Sequence, residues 1–289
     1  MTQRPRVDAW FDTDSCTVSY LATCEETGAC AIIDPVLDFE ACSGRTATHS
    51  AEVILGEIEA RGLNCELIIE THVHADHLSG APFLRKRLGA PIAIGAHIAE
   101  VQRAFAPIYA LEGELDCDGA PFDRLLDDEA RFSVGKVKAQ AFHTPGHTPA
   151  CMSYLIGDAL FVGDTLFMPD FGTARCDFPG GDARALYRSI QRLYALPDET
   201  RVFTCHDYKA PGRDHYAWET TLAQQKTGNV HIHAGVSEDE FVAMRTERDA
   251  ILPMPRLMLP SVQVNIAAGE LPDEDPQGRR FLKLPLNAF

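Results

Sequence analysis

Four short stretches of this sequence are rich in histidine and aspartate. They are Thr71-His72-Val73-His74-Ala75-Asp76-His77, Gly146-His147-Thr148, Gly163-Asp164-Thr165 and Cys205-His206-Asp207-Tyr208. Imidazole and carboxylate groups are ligands for first-row transition metals. Because the stretches are far apart in the chain, only a fold that brings four loops together can unite them. The pattern therefore predicts a metalloprotein and limits the folds that the chain can adopt.

The composition is that of an ordinary soluble globular protein. Of 289 residues, 45% are hydrophobic and 24% are charged. No apolar run reaches the ~18 residues that span a bilayer, and the first residues lack the apolar stretch of a secretory signal. The nine cysteines include no Cys-x-x-Cys pair, which favours reduced thiols over disulfides. We therefore expect a cytoplasmic protein without a membrane role.

The charge of the chain limits its partners. The formal net charge is −16, and the few basic groups in the sequence are interrupted. Because phosphate contacts need clustered lysine and arginine, general nucleic-acid binding is not expected. Metallonucleases can be built on sites of this kind, so a nucleic-acid substrate is kept as a minor alternative.

A short apolar strand precedes each group of candidate ligands. The strands and the residues they lead to are 67–69 with His72, 137–142 with His147, 159–162 with Asp164, and 202–203 with His206. Residues 17–33 have the alternation of a β-hairpin. Strands mixed with helices, in two such halves, predict an α/β fold, a sandwich of two mixed β-sheets with helices on the outside.

Helical spacing of apolar residues occurs at 51–61, after Asp76, and after Asp182, which is a potential N-cap. Ser237 begins a capping box for a helix that ends near residue 251. Residues 107–131 are expected to be irregular, and the proline-rich tail from Pro253 shows no regular pattern. We expect one catalytic domain over residues 1–235, with residues 236–289 packed on it as a helix and tail.

The densest group of candidate ligands has three histidines and one aspartate within six residues. A hydrated polar loop, with Asp76 as a helix cap, is the alternative interpretation. However, His72-x-His74-x-Asp76-His77 resembles the signature of the metallo-β-lactamase superfamily, and the other motifs follow in that family's order. The resemblance covers about residues 10–230. It implies an αββα sandwich with the metal site at one edge of the two sheets.

Members of this superfamily bind one or two metals. Residues 168–181 and 205–208 look like those of the persulfide dioxygenases, also called sulfur dioxygenases, rather than those of glyoxalase II. By position, the resemblance implies that His72, His147 and Asp164 are the catalytic ligands of one Fe(II) per chain. This set leaves three coordination positions open, enough for substrate sulfur and O₂.

The remaining motif residues then support these ligands through hydrogen bonds. The supporting residues are His74, Asp76, His77 and His206. The sequence leaves open that they bind a second metal. In that case a two-metal thioester hydrolase of the glyoxalase II type is the main alternative function, and a non-enzymatic iron or oxygen sensor is a more distant one.

The substrate implied by the resemblance is glutathione persulfide, which is oxidised with O₂ and water to sulfite and glutathione. Its carboxylates need local cations in a chain of net charge −16. The candidates for substrate binding are Arg175, Tyr208, Arg213 and Lys226. Surface ion pairs are the alternative for the three cations, and a packing role is the alternative for Tyr208. The oligomeric state is left open, a homo-oligomer included.

Overall fold

The computed structural model describes residues 4–288. Within this range the strands are β1 (Arg6–Asp12), β2 (Thr17–Cys24), β3 (Ala29–Ile33), β4 (Val36–Glu40), β5 (Arg45–Ala47), β6 (Asn64–Ile69), β7 (Leu78–Ser79), β8 (Ile92–Gly95), β9 (Arg124–Leu126), β10 (Arg131–Val134), β11 (Val137–His143), β12 (Met152–Ile156), β13 (Ala159–Phe161), β14 (Arg201–Phe203) and β15 (Glu219–Thr221). The helices are α1 (His49–Arg61), α2 (Ala81–Leu88), α3 (Ile98–Phe105), α4 (Ala183–Tyr194), α5 (Leu222–Gly228), α6 (Glu238–Asp249) and α7 (Met258–Asn265).

The strands form two large sheets and one small sheet. The first large sheet has the order β1-β2-β3-β6-β8-β9, and the second has the order β10-β11-β12-β13-β14-β15. Both are mixed, since β3 pairs with β6 in parallel while β1, β2 and β3 are antiparallel, and only β13 and β14 are parallel in the second sheet. A small sheet of order β5-β4-β7 lies beside them.

Alternating side chains on the first sheet enter two different hydrophobic cores. Leu21 and Ile32 pack with α1, α2 and α3, whereas Tyr20 and Ile33 pack with β11, β12 and β13 of the second sheet. A third core joins the other face of the second sheet to α4 and α6. Because successive strand residues point to opposite faces, this pattern stacks helices, sheet, sheet and helices. The predicted αββα sandwich of mixed sheets is confirmed.

The metal-motif loop differs from the prediction at one point. Asp76 and His77 do not begin a helix, because Leu78 and Ser79 form β7 and pair with β4, and α2 starts only at Ala81. Pairing with a distant strand, which local helical spacing does not reveal, outweighs that spacing here. The same loop directly follows β6, as predicted.

The C-terminal segment contains a helix that the sequence pattern did not indicate. Helix α7 is buried on most sides, so it lacks the polar face that makes a helix visible as a periodic pattern. The predicted irregular stretch 107–131 also contains β9, at the edge of the first sheet. Helix α6 has the predicted capping box of Ser237 and Glu240 and packs beside α4. The domain boundary after residue 235 stays a prediction.

Within residues 4–288, none of the helices combines the length and the apolar character that crossing a membrane requires.

Candidate metal centre

Three residues from three different loops converge at one edge of the sandwich. One ligand atom of each of His72, His147 and Asp164 lies within 4.8 Å of the other two. The Oδ2 atom of Asp164 is 3.9 Å from Nε2 of His72 and 3.6 Å from Nε2 of His147. All three side chains are buried. The structure therefore brings together the three residues for which the family resemblance implied a common iron.

Hydrogen bonds fix which nitrogen of each imidazole faces this point. Nδ1 of His147 donates to the carbonyl oxygen of Arg175 at 2.8 Å. Nδ1 of His72 lies 3.0 Å from Oγ1 of Thr71, whose hydroxyl donates to Asp34. With the protons held on Nδ1, both Nε2 atoms keep the lone pair that a metal ligand needs.

A second cluster lies directly beside the first. It contains His74, Asp76, His77 and His206, and one ligand atom of each lies within 4.8 Å of the others. Nε2 of His206 is 2.7 Å from Oδ2 of Asp76 and 3.4 Å from Oδ1 of Asp164. Asp164 therefore has one carboxylate oxygen near each cluster.

Asp34 connects the two clusters through Thr71 and His74, and the sequence motifs did not include it. It is buried and accepts hydrogen bonds from the backbone N–H and the hydroxyl of Thr71, at 2.7 and 2.9 Å. Its Oδ1 is also 3.1 Å from Nε2 of His74, and a carboxylate oxygen of Glu70 is 3.3 Å from the same nitrogen. The only signal in the sequence was its position directly after the buried strand β3.

Burial and neighbouring charges divide the histidines into two kinds. Burial, followed by the nearby His74, lowers the pKa of His72 well below its usual value, and burial lowers the pKa of His77 to about 4. Burial opposes the charged form of His74 and His206 as well, but carboxylates outweigh it there. Asp34 raises the pKa of His74 well above its usual value, and Asp76 raises that of His206 to about 9.

Several buried polar atoms of the two clusters have no hydrogen-bond partner among the described residues. They include Nδ1 of His74, Nε2 of His77 and Oδ1 of Asp164. Buried polar atoms are normally satisfied because leaving one unpaired costs about 1–3 kcal/mol. Of these atoms, Nε2 of the neutral His77 and Oδ1 of Asp164 keep unused lone pairs, and such buried nitrogen and carboxylate donors fit a first-row transition metal.

Gly146 sets the position of His147. Its φ angle is +143°, and a Cβ atom at this position would lie 2.4 Å from the backbone N and Cα of Leu186. We expect Gly146→Ala to lower the free energy of unfolding by about 3 kcal/mol, because both the backbone angle and the contact with α4 become unfavourable. Urea denaturation measures the change.

Gly56 provides the matched control for this substitution. It lies inside α1, and a Cβ atom there would meet no atom within 4 Å. Gly56→Ala should therefore be neutral or slightly stabilising. Equal loss of stability in the two variants would contradict the steric explanation.

Asn265, at the end of α7, holds the metal-motif loop. Its Nδ2 donates to the carbonyl oxygens of His74 and His77, at 2.9 and 2.8 Å, and its Oδ1 accepts from the N–H of Ser79 at 2.9 Å. Asn265→Ala leaves three buried backbone groups without partners. We expect it to lower the free energy of unfolding by roughly 2–3 kcal/mol and the metal affinity by about 10-fold.

Gln263 on the same helix allows stability and metal binding to be separated. This buried amide forms its side-chain hydrogen bonds with the backbone of Leu259 and Lys283, and within the described residues none of them goes to the metal-motif loop. Gln263→Ala should lose comparable stability but keep the metal affinity, which competition with a chelator measures. Loss of metal affinity to the same degree in both variants would refute the role of Asn265.

A cavity of about 480 Å³ opens onto the first cluster. His72, His147, Asp164 and Asp76 line it, whereas His74, His77 and His206 are not among its lining residues. The aromatic side chains along the cavity are Phe167, Phe171, Phe178 and Tyr208. Small molecules in this cavity therefore reach the first cluster and not the interior of the second.

The four predicted substrate-binding residues divide into two pairs. Arg175 and Tyr208 line the cavity, and the ring of Tyr208 stacks on that of His206 with centroids 5.7 Å apart. Arg213 and Lys226 do not line it, and the prediction needs correction for both. Each is held elsewhere by carboxylates, Arg213 by Asp207 and Asp170 at 2.6 and 2.7 Å, and Lys226 by Asp198.

Other residues along the cavity were missed by the sequence motifs. Arg245, Arg248 and Arg256 line it from the C-terminal segment. His231 holds the loop that forms another wall, since its Nδ1 accepts the N–H of Thr173 at 3.0 Å. No motif spacing distinguishes the three arginines or His231. The arginines reach the cavity only through the packing of α6 and the chain after it, and His231 affects the cavity only through the loop that it holds.

Two stacked mixed sheets between helices, with histidines and aspartates gathered at one edge, define an αββα metalloprotein. A model of the metallo-β-lactamase superfamily matches residues 13–206. The chain belongs to this superfamily, and the resemblance seen in the motifs is confirmed.

The relatives to which the chain is similar are named after different activities. The chain is 52% identical to a probable metallo-hydrolase of Burkholderia pseudomallei, over 98% of this chain and 99% of that one. It is 45% identical to glyoxylase B2 of Dictyostelium discoideum, over 99% of each chain. It is 28% identical to the human mitochondrial persulfide dioxygenase ETHE1, over 90% of this chain and 87% of that one. The crystal structure of ETHE1 from Myxococcus xanthus is 32% identical, with a TM-score of 0.73 over 92% of this chain and all of that one.

Proposed function

We propose that this protein is a persulfide dioxygenase, which oxidises glutathione persulfide with O₂ and water to sulfite and glutathione. The observation that carries the proposal is that the cavity reaches the histidines of the first cluster but not those of the second. His72, His147 and Asp164 meet at the cavity, whereas His74, His77 and His206 are at most 1% exposed and do not line it. A site with three ligands and an open side suits an oxygenase.

One Fe(II) would be held by His72, His147 and Asp164. When bound, such an iron supplies open coordination positions for the persulfide sulfur and for O₂ and accepts or donates single electrons. The protein orients its ligands. Thr71 and the carbonyl oxygen of Arg175 hold the two imidazoles by Nδ1, and Asp34 fixes Thr71 in turn.

The second cluster satisfies much of its own charge without a second metal. Nε2 of His74 lies between the carboxylates of Asp34 and Glu70, and Nε2 of His206 lies 2.7 Å from Asp76. Each positively charged imidazole thereby has a nearby carboxylate. This pairing supports a role in orienting Asp164 by charge, because Nε2 of the positively charged His206 also lies 3.4 Å from Oδ1 of Asp164.

The overall reaction balances as GSSH + O₂ + H₂O giving GSH, SO₃²⁻ and two protons. The terminal sulfur loses four electrons, and both atoms of O₂ gain them. The aromatic walls of the cavity, among them Phe167 and Phe178, limit the water around the reacting sulfur. Limiting water protects a persulfide from side reactions while oxidation proceeds.

A two-metal thioester hydrolase is the second candidate. The observation in its favour is that Asp164 has one oxygen near each cluster, as an aspartate bridging two metals does. The donor atoms of the second cluster are also close enough together to hold an ion. The names of the relatives from Burkholderia pseudomallei and Dictyostelium discoideum agree with this candidate.

Metal analysis combined with an oxygen electrode separates the two candidates. Protein purified without O₂ should contain about one iron per chain and consume O₂ when glutathione persulfide is added. It should not hydrolyse S-lactoylglutathione. Two metals per chain, with rapid hydrolysis of S-lactoylglutathione and no O₂ consumption, would refute the dioxygenase and establish the hydrolase.

A further inference from the structure

Four arginines line the cavity. Arg245 and Arg248 belong to α6, Arg256 follows that helix, and Arg175 lies on the loop after Asp164. The chain as a whole has 42 acidic residues against 26 lysines and arginines. The lining of the cavity thus has four arginines against three aspartates, Asp14, Asp76 and Asp164, whereas acidic residues predominate in the chain as a whole, and this local excess of cations favours an anionic ligand.

Two of these arginines have carboxylate partners and two do not. Arg175 pairs with Asp177 and Arg245 pairs with Asp249, each at 2.6 Å. Within residues 4–288, neither Arg248 nor Arg256 forms an ion pair, and both are exposed. The hydrogen bond that Arg256 makes goes to the backbone carbonyl oxygen of Asp14, at 3.2 Å. Two guanidinium groups at the cavity are therefore available to bind carboxylates.

A carboxylate without an ion pair lines the same opening. Asp14 is exposed and lines the cavity, and across the described part of the chain its side chain pairs with no cation. Its backbone carbonyl accepts the hydrogen bond from Arg256, which brings this carboxylate and that guanidinium to the same side of the opening. The cavity thus offers two groups for anions and one group for a cation.

This set matches the charges of a glutathionyl group, which has two carboxylates and one ammonium. We propose that Arg248 and Arg256 determine specificity by binding the two carboxylates of the substrate's glutathionyl group, while Asp14 binds its ammonium. The inference rests on the substrate proposed above. It does not rest on the oxidation, since the thioester of the second candidate function carries the same group.

Binding without turnover tests this inference. The probe is S-methylglutathione, which has the same charged groups but no persulfide sulfur, titrated into the iron-loaded protein by calorimetry. Arg248→Gln and Arg256→Gln should each raise Kd roughly tenfold, because each removes a charge-assisted hydrogen bond. Asp14→Asn should raise Kd by about threefold, since an exposed ion pair contributes less.

Arg103→Gln is the matched control. Arg103 is an exposed arginine on α3 that has no ion pair among the described residues and does not line the cavity. The Kd of the Arg103→Gln variant for S-methylglutathione should equal that of the wild type. Thermal melting of every variant shows whether the wall around Arg256 keeps its structure, and Arg256→Lys, which keeps the charge, should recover part of the affinity.

A second ligand completes the test. The dimethyl ester of S-methylglutathione should bind the wild type as weakly as S-methylglutathione binds the Arg248→Gln/Arg256→Gln double variant, and esterification should not weaken binding to that variant further. Absence of S-methylglutathione binding by the wild type, or wild-type affinity in both arginine variants, overturns the inference. Failure of the dioxygenase proposal gives a different result, in which S-methylglutathione still binds but no O₂ is consumed with glutathione persulfide.

Discussion

Asp164→Asn is expected to abolish iron binding and oxygen consumption, whereas Asp76→Asn is expected to retain about one iron per chain. Asp164 is the carboxylate that lies 3.6–3.9 Å from Nε2 of both His147 and His72 at the cavity. An amide oxygen carries no negative charge and binds iron far more weakly than a carboxylate. The loss of activity should therefore exceed the roughly 10- to 100-fold that changes in outer-sphere partners typically cost.

Asp76 is the matched carboxylate of the second cluster. Its Oδ2 lies 2.7 Å from Nε2 of His206, directly beside the first cluster, but in the dioxygenase proposal Asp76 does not bind a metal. Asp76→Asn should lower activity by about 10- to 100-fold through its effect on His206 and Asp164. Iron content by mass spectrometry and O₂ uptake with glutathione persulfide measure both variants.

The hydrolase alternative predicts a different result for the same pair. If two metals bind, Asp76→Asn should lower the metal content from two to one per chain, and Asp164→Asn should weaken the binding of both metals. A wild-type content of one iron that falls to zero in Asp76→Asn would refute the ligand set proposed here. The two variants therefore distinguish the ligands as well as the number of metals.

The largest expected effect on stability comes from the ion pair between Arg245 and Asp249. Arg245 is 1% exposed, and its Nε and Nη2 donate to Oδ1 of Asp249 at 2.9 and 2.6 Å. Oδ2 of Asp249 accepts the N–H of Cys176, and Nη1 of Arg245 donates to the carbonyl oxygen of Thr173. The pair thus ties α6 to the loop that forms a wall of the cavity.

Asp249→Ala leaves the guanidinium group of Arg245 buried without its carboxylate. We expect the free energy of unfolding to fall by about 3–5 kcal/mol, which is typical of breaking a buried ion pair by removing one partner. Urea denaturation measures this value. A loss of less than about 1 kcal/mol would show that the pair is solvated in solution.

Two further variants test the physical reason. Glu57 and Arg61 form a half-buried pair with the same i, i+4 spacing on α1, and Arg61 also pairs with Asp8 at 2.6 Å. Glu57→Ala therefore leaves Arg61 with a carboxylate and should cost under about 1 kcal/mol. Arg245→Met combined with Asp249→Leu should recover much of the stability lost by Asp249→Ala, because the unpaired charge is removed as well. Equal loss in the single and double variants would attribute the effect to packing alone.

Much of the fold could be predicted because its signals are local. Short apolar strands end directly before His72, His147, Asp164 and His206, and the ends of these strands meet at one edge of the sandwich. Asp182 and Ser237 cap α4 and α6 through hydrogen bonds to residues two or three positions away. Interactions of such short range are visible in the sequence itself.

The residues that were missed depend on contacts across the chain. Asp34 contacts His74, and Asn265 contacts the backbone of the same loop from nearly 200 positions away. Helix α7 is buried on most sides, so no polar face revealed it. Arg213 and Lys226 have the charge that a substrate would need, but neighbouring carboxylates hold them away from the cavity.

The sequence by itself determined the chemical types of the candidate ligands and the sandwich of mixed sheets, because these follow from residue chemistry and from strands and turns a few residues long. The resemblance to the metallo-β-lactamase superfamily added that the four loops meet at one edge. Only the tertiary structure decided which cluster faces the cavity, which arginines are already paired, and which buried side chains hold the ligands. The reason is that exposure and pairing depend on the packing of segments far apart in the chain, which local sequence patterns do not record.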